Sequence, residues 1–251
     1  MRRKRRGNSR FFVYFFTIIF ILFGIQQITV YFLKKVSIFK VRKIEIVGTH
    51  NLSNLEELVE EYVGKNLFDI EKQEIILNFE NLVRIEEINL RKKLPSTLQI
   101  IVKERLGKFY VKTEDGHIYP IDKNKIILDN NDFYLREDLP IISTNLKDDE
   151  ITIAQKLNDE FVDNVFKLHE KICEVVPEME KKISEYYSIN GKIYFVEMNS
   201  ASHIYLGSKN FQESLANFKF YYENSGLPER KIIDFRYKNQ IVSEDYHQNK
   251  S

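Results

Sequence analysis

An uninterrupted apolar run near the start of the sequence limits what this chain can be. Residues 11–33 read FFVYFFTIIFILFGIQQITVYFL, in which no residue is charged and 16 of the 23 residues are Phe, Ile, Leu or Val. As an α-helix, a segment of this length reaches about 35 Å, whereas the hydrocarbon core of a bilayer is about 30 Å thick. The run therefore predicts a transmembrane helix, and the polar pair Gln26 and Gln27 weakens this prediction without reversing it.

A cleaved signal peptide is the main alternative, because a basic start followed by an apolar run is also its signature. Signal peptides have a shorter apolar run and small residues at the cleavage site, whereas residues 24–35 offer bulky and polar side chains. The sequence therefore favours an uncleaved anchor.

The charges that flank the run predict its orientation. Six Arg and Lys residues lie within residues 1–10, and five more lie within residues 34–43. Cytoplasmic flanks carry the excess of positive charge. We therefore expect residues 1–10 to form a basic cytoplasmic tail, with everything after the run on the extracytoplasmic side.

The part of the chain after the run is acidic. Residues 1–10 contribute +6 to a net charge of +1, so residues 34–251 carry −5. Nucleic acid is therefore a poor partner, because phosphate contacts need a basic surface. These 218 residues suffice for one large domain or two modest ones. Cys173 is the single cysteine, so no intrachain disulfide can form.

Hydrophobic spacing divides the first part of this region into five elements. They are a strand over 41–47, helices over 53–63 and 70–82, and strands over 84–92 and 97–104. Ser53 and Glu56 have the spacing of a capping box at the start of the first helix. This order predicts an α+β unit with its helices on one side of a small sheet.

Three segments of this unit resemble a known family. VRKIEIVGTHNLSNLEEL, GKNLFDIE and IEEINLRKKLPSTLQIIVKER are similar to the POTRA domain of the FtsQ/DivIB bacterial cell-division proteins. Residues 94–105, LPSTLQIIVKER, follow the closing pattern of that domain in order and spacing. The family usually has a proline after Glu-Arg, whereas this chain has Leu106 and Gly107, which puts only the local bend between domains in doubt.

Residues 106–242 resemble the β domain of the same family. The predicted strands cover 108–112, 117–122, 125–128, 181–189, 192–198, 203–207, 231–237 and 240–242, and the predicted helices cover 150–176 and 209–223. Asn190-Gly191 is a strong hairpin signal between two of these strands. The fold class is therefore α+β, with a transmembrane helix, a POTRA domain (β-α-α-β-β) over 38–105 and a mixed, mostly antiparallel β domain with flanking helices. Residues 243–251 are polar, and we expect a disordered tail there.

Patterns typical of enzymes are incomplete in this sequence. His169 and Glu170 begin an H-E-x-x-H motif, but Cys173 stands where the second histidine should be, so we interpret His169 as a surface residue and Cys173 as a small buried one. Ser37 and Lys40 have the S-x-x-K spacing of penicillin-recognising enzymes without their partner motifs. The sequence predicts no catalytic residue, no metal site and no cofactor.

The resemblance implies a non-enzymatic bitopic protein of the division site. Its implied partners are membrane-anchored division proteins of the FtsB/DivIC and FtsL types, and the bilayer contacts residues 11–33. We expect binding by β-strand addition at the last strand, IIDFRYKNQIV, because an edge strand presents unpaired backbone groups. The predicted partner-binding residues are Asp234, Arg236, Tyr237, Ile241 and Val242. The competing interpretation is that Arg236 and Tyr237 only decorate a solvated strand.

Two other functions compete with this one. A membrane-anchored, peptidoglycan-modifying enzyme is the alternative, because carboxylates for acid and base roles are abundant. A POTRA-bearing translocation component is disfavoured, because that class ends in a β-barrel of long alternating strands, whereas helices are predicted here.

Overall fold

The computed structural model describes residues 9–48, 55–79, 82–129, 138–237 and 240–246, with backbone alone for residues 9–11. The chain divides into two compact units, residues 1–104 and residues 105–251. The fold class predicted from the sequence is confirmed: an apolar helix, a unit with the predicted β-α-α-β-β order and a mixed-sheet unit follow one another.

The first unit begins with one long apolar helix, α1 (Ser9–Lys35). Its segment Phe12–Lys35 is long and apolar enough to cross a membrane, and none of it is buried within the fold. Phe12 is 59% exposed and Phe20 is 77% exposed. Because its apolar side chains point outward on every face, α1 does not serve as a core helix.

The rest of the first unit is a three-stranded sheet covered by two short helices. The elements in chain order are β1 (Lys43–Val47), α2 (Leu55–Glu60), α3 (Lys72–Phe79), β2 (Ile85–Lys93) and β3 (Thr97–Glu104). β3 lies in the centre, parallel to β1 and antiparallel to β2. Leu98, Ile100 and Val102 lie on one face of β3 and pack in the same core as α2 and α3.

Gly48 ends β1 for a steric reason. Its φ is +92°, and a Cβ atom at this position would lie 2.2 Å from the carbonyl oxygen of Val102. Only glycine adopts this conformation without strain and leaves room for β3. The helix predicted after this glycine is present over Leu55–Glu60, whereas Ser53 of the predicted capping box lies outside the described residues.

The second unit is a mixed eight-stranded sheet. Its strands are β4 (Gly107–Lys112), β5 (Ile118–Asp122), β6 (Ile141–Ser143), β7 (Ile183–Ile189), β8 (Lys192–Glu197), β9 (Ser202–Tyr205), β10 (Lys231–Asp234) and β11 (Val242–Asp245). They lie in the order β11-β10-β9-β8-β7-β6-β4-β5. The pairs β4–β6, β6–β7 and β9–β10 are parallel, and the other four are antiparallel.

Helices α4 (Glu160–Val175) and α5 (Phe211–Ser225) share one core with this sheet. Tyr186, Phe195 and Ile204 point into that core from β7, β8 and β9, and each is fully buried. Because side chains alternate along a strand, the neighbours of these residues lie on the opposite, outer face of the sheet.

The helix predicted over 150–176 starts ten residues too early, because α4 begins at Glu160. The Asp159 carboxylate accepts a hydrogen bond from the Val162 N–H at 2.8 Å and caps the helix. The preceding segment instead bonds along residues 125–127: the Ile127 N–H donates to Gln155, and the Leu157 N–H donates to Lys125. These contacts use the backbone groups that a longer helix would need.

The C-terminal prediction also needs correction. The strands predicted over 231–237 and 240–242 are present with other bounds, as the antiparallel pair β10 and β11, so the run IIDFRYKNQIV that was expected to act as the last strand is not one strand. Ser243 to Asp245, expected in a disordered tail, belong to β11, while residues 247–251 lie outside the described residues. Phe235 still points into the core, and its N–H donates to the Tyr205 carbonyl at 3.0 Å, so the chain stays against β9 for one residue after β10.

Candidate partner-binding edge

The five residues predicted to bind a partner lie around one hairpin. Asp234 ends β10, Arg236 and Tyr237 follow it, Ile241 precedes β11, and Val242 begins β11. Asp234 pairs with Val242 in the register of the two strands. The structure therefore brings the predicted residues together, but on a hairpin instead of a single strand.

The outermost strand of the sheet is β11. It pairs with β10 on one side, and no strand in the described part of the chain pairs with its other side. All four of its residues are exposed. The Tyr246 N–H donates to the Arg230 carbonyl at 3.1 Å, and Lys231 forms an ion pair with Asp245 at 2.6 Å. This edge thus has the geometry that strand addition requires.

Asp234 holds the Arg236 guanidinium in a two-pronged pair. Arg236 Nε lies 2.9 Å from each carboxylate oxygen, and Nη2 lies 2.6 Å from Oδ2. The Arg236 backbone N–H also donates to Oδ1 at 3.0 Å. These bonds raise the pKa of Arg236, so the side chain keeps its charge at every physiological pH. Arg236 remains 35% exposed and can still meet a partner.

Arg236 also lies on aromatic rings. Its Cζ atom is 4.8 Å from the Tyr205 ring centre and 5.4 Å from the Tyr237 ring centre. Both distances are within the range of cation–π attraction. The guanidinium is therefore fixed by one carboxylate and two rings.

A row of tyrosines continues from this point across the outer face of the sheet. Tyr205 lies 5.1 Å from Tyr194, and Tyr194 stacks on Tyr187 at 5.4 Å. They occupy neighbouring strands, at positions that alternate with the buried residues of the inner face. Sequence reasoning missed this row, although the alternation Tyr186-Tyr187 and Tyr194-Phe195 was the signal that could have revealed it.

Gly207 provides the space in which Arg236 lies. Its φ is +71°, and a Cβ atom there would lie 2.6 Å from both Cγ and Cδ of Arg236. The Arg236 side chain thus packs directly on the backbone of Gly207, two residues after the end of β9. Gly207 is a second contributor to this edge that sequence reasoning did not identify.

Four large apolar or aromatic side chains are exposed near the hairpin: Tyr237 (46%), Val242 (41%), Ile241 (38%) and Tyr246 (38%). Tyr246 stacks on His203 with 3.8 Å between the ring centres. Grouped exposed apolar side chains mark interaction surfaces more often than scattered ones do. The edge therefore combines open backbone groups, a fixed positive charge and an apolar surface.

The residues of the incomplete enzyme motif behave differently from the prediction. His169 is buried, not on the surface, and its Nδ1 lies 2.9 Å from the Tyr186 hydroxyl. Burial lowers the pKa of His169 to about 4 and raises the pKa of Cys173, which is only partly buried, to about 11. At neutral pH both groups are uncharged, so this pair lacks a thiolate nucleophile.

No group of three His, Cys, Asp or Glu side chains suited to a metal ion occurs among the described residues. The exposed edge of the second unit is therefore the candidate site.

The architecture defines a class of protein. In this class, an apolar N-terminal helix is followed by a POTRA-type unit and by a mixed-sheet unit with one open edge. The profile of the family described as "POTRA domain, FtsQ-type" matches residues 39–105.

Similar proteins are named as cell-division proteins. The chain is 33% identical over 133 residues to Cell division protein DivIB of Clostridium botulinum. The matched region makes up 51% of this chain and 48% of that protein. It is 30% identical over 97 residues to Cell division protein DivIB of Clostridium acetobutylicum, which covers 38% of this chain and 39% of that protein. The matched POTRA domain and these relatives support a likeness of this chain to the FtsQ/DivIB bacterial cell-division proteins. It spans about half the length of the Clostridium botulinum relatives in these matches.

Proposed function

We propose that this protein is a non-enzymatic, bitopic scaffold of the division site that binds other membrane-anchored division proteins through its extracytoplasmic units. The partner contributes a strand that pairs with the free side of β11. The observation that carries the proposal is the open, fully exposed β11 beside the fixed Arg236 and the exposed Tyr237.

Strand addition at this edge has a clear physical basis. The free side of β11 offers backbone N–H and C=O groups, and each new hydrogen bond in a growing ladder replaces bonds to water. Backbone pairing alone has little specificity. Arg236 and Tyr237 supply it, because arginine and tyrosine are the residue types that dominate binding energy at interface centres.

The apolar helix α1 supports the same function. Anchoring this protein and its partner in one bilayer raises their effective concentration, so a modest contact between their outer units suffices for assembly. The basic residues before the helix support a cytoplasmic N-terminus with the two units on the other side of the membrane. The family suggests partners of the FtsB/DivIC and FtsL types, and the charge of −5 after the helix argues against nucleic acid.

The test uses the full-length chain in nanodiscs and the extracytoplasmic region of a candidate partner, with affinity measured by biolayer interferometry. Arg236→Glu and Tyr237→Ala should each weaken binding at least tenfold. Lys219→Glu and Phe220→Ala on α5 are matched controls, since both residues are exposed. Unchanged affinity in folded Arg236→Glu and Tyr237→Ala variants contradicts the proposed site.

Crosslinking in cells provides an independent test. A photoreactive residue at position 237 should capture a membrane-anchored division protein, whereas the same residue at position 220 should not. Turnover of cell-wall material by the purified protein, abolished by one carboxylate substitution, would instead support the peptidoglycan-modifying enzyme.

A further inference from the structure

A second surface feature of the β domain lies beside the Arg236 site. A pocket of about 390 Å³ opens between α4, the β7–β8 turn and the β9–α5 connection. Three lysines line it: Lys167 and Lys171 from α4, and Lys192 from the start of β8. We call it the lysine pocket. Lys167 and Lys171 are four residues apart, so they lie on the same face of the helix.

The charge of the lysine pocket is unusual for this molecule. Residues 34–251 carry −5 overall, yet no carboxylate is among the twelve residues that line the pocket. Five other lysines of this unit form ion pairs, for example Lys125 with Asp163 and Lys108 with Glu180. Within the described chain, Lys167, Lys171 and Lys192 form no such pair. Neighbouring like charges repel, so this cluster does not stabilise the fold.

Aromatic rings hold two of these lysines without neutralising them. Lys171 Nζ lies 5.2 Å from the Phe211 ring centre, and Lys192 Nζ lies 5.7 Å from the Tyr205 ring centre. Cation–π contacts at these distances restrict the side chains and leave their three N–H donors free for an anion. The pocket is therefore partly organised before a ligand arrives.

Further donors line the same pocket. Asn164 and Ser208 contribute an amide and a hydroxyl group, and Phe211 begins the 15-residue helix α5. The side chain of the N-cap residue Asn210 makes no capping hydrogen bond, and the positive end of the α5 dipole adds to the field of the lysines.

We propose that the lysine pocket binds a phosphate-bearing ligand. Its volume accepts a small organic phosphate or a phosphate headgroup, and its donors match the charge and the several acceptor oxygens of a phosphate. The pocket adjoins the Arg236 side chain, because Tyr205 and Gly207 line the pocket and also contact Arg236. None of the three lysines belongs to the hairpin, so lysine variants test phosphate binding separately from partner binding.

The experiment measures binding of inorganic pyrophosphate to the full-length chain in phosphatidylcholine nanodiscs by isothermal titration calorimetry. The wild type should bind saturably. The triple variant Lys167→Gln, Lys171→Gln, Lys192→Gln should bind at least tenfold more weakly. A matched triple variant, Lys156→Gln, Lys181→Gln, Lys219→Gln, has the same net charge and should bind like the wild type.

A second arm identifies the source of the phosphate. Vesicles of phosphatidylglycerol are added in trans to the same nanodiscs. Pocket-dependent binding of pyrophosphate supports a soluble ligand, whereas pocket-dependent binding of these vesicles alone supports a lipid headgroup. Equal loss in both triple variants, or no saturable binding in either arm, overturns the proposal. Unchanged partner affinity in the variant Lys167→Gln, Lys171→Gln, Lys192→Gln would show that phosphate binding can be lost while partner binding is kept.

Discussion

Replacing Gly207 by alanine tests how the edge is built. The new Cβ atom would lie 2.6 Å from Cγ and Cδ of Arg236, so the side chain must leave its position. Arg236 would then lose its contacts with Asp234 and with the Tyr205 ring together. The substitution thus displaces the guanidinium without changing any residue that a partner would touch.

The expected effect of Gly207→Ala has two parts, one on folding stability and one on partner binding. Alanine at a positive φ costs about 1–2 kcal/mol of folding free energy, which lowers the melting temperature of a unit of this size by a few degrees. Gly191 is a matched control, because its φ is +72° and nothing lies within 4 Å of an added Cβ atom. Both variants should lose similar stability. Loss of a central arginine contact costs a further ~1–2 kcal/mol of binding, or about tenfold in Kd, in Gly207→Ala alone.

The assay combines thermal unfolding followed by circular dichroism with partner affinity measured on full-length chains in nanodiscs. Gly207→Ala should show a Kd about tenfold above that of Gly191→Ala at comparable melting temperatures. Equal affinities in the two variants would refute the reasoning, because Arg236 would then contribute nothing from its observed position.

Three further predictions concern stability and reactivity. Gly48→Ala should destabilise the first unit by roughly 3 kcal/mol in urea unfolding, because the added Cβ atom would lie 2.2 Å from a backbone carbonyl oxygen. Gly64→Ala is the control and should cost only about 1 kcal/mol, because there is open space around that position. The unfolding free energy should fall by on the order of 3 kcal/mol as the pH drops from about 6.5 to about 4. The reason is that burial lowers the pKa of His169 to about 4, so the unfolded chain binds the proton at a higher pH than the folded chain does. An unchanged pH profile in His169→Gln would contradict this prediction. Cys173 should react slowly with iodoacetamide at pH 7, because only about one thiol in ten thousand is ionised there. The reaction rate should rise tenfold per pH unit until about pH 11. A fast reaction at pH 7 in the folded chain would show that the burial of Cys173 is wrong.

Local patterns were sufficient where one face of an element is buried by its own unit. The strand predicted over 97–104 has those bounds in the structure, and Leu98, Ile100 and Val102 recur at every second position on its buried face. The order of strands and helices in the first unit follows from the same alternation and from Gly48.

Tertiary contacts decided the positions that were predicted wrongly. Residues 150–159 have helical spacing, but their backbone groups bond to residues 125–127, which are far away in sequence. The tyrosine row requires the order of three neighbouring strands, which no local pattern contains.

The two edges of the eight-stranded sheet differ in a way that bears on the proposed function. Beyond β5, the Leu128 N–H donates to the Pro120 carbonyl at 2.8 Å, and the Asp122 N–H donates to Ile126 at 3.0 Å. Pro120 itself has no N–H to offer, so this edge is both covered and blocked. Beyond β11 no described residue provides such cover.

An open edge normally risks pairing with a second copy of the same chain. In β11, Glu244 would oppose that outcome where two copies pair edge to edge with this residue side by side, because like charges would then meet. A partner strand with basic or neutral side chains would meet no such penalty. On the proposed function, Glu244 would therefore disfavour self-association and leave the edge available for a different protein, as a scaffold acting through strand addition requires.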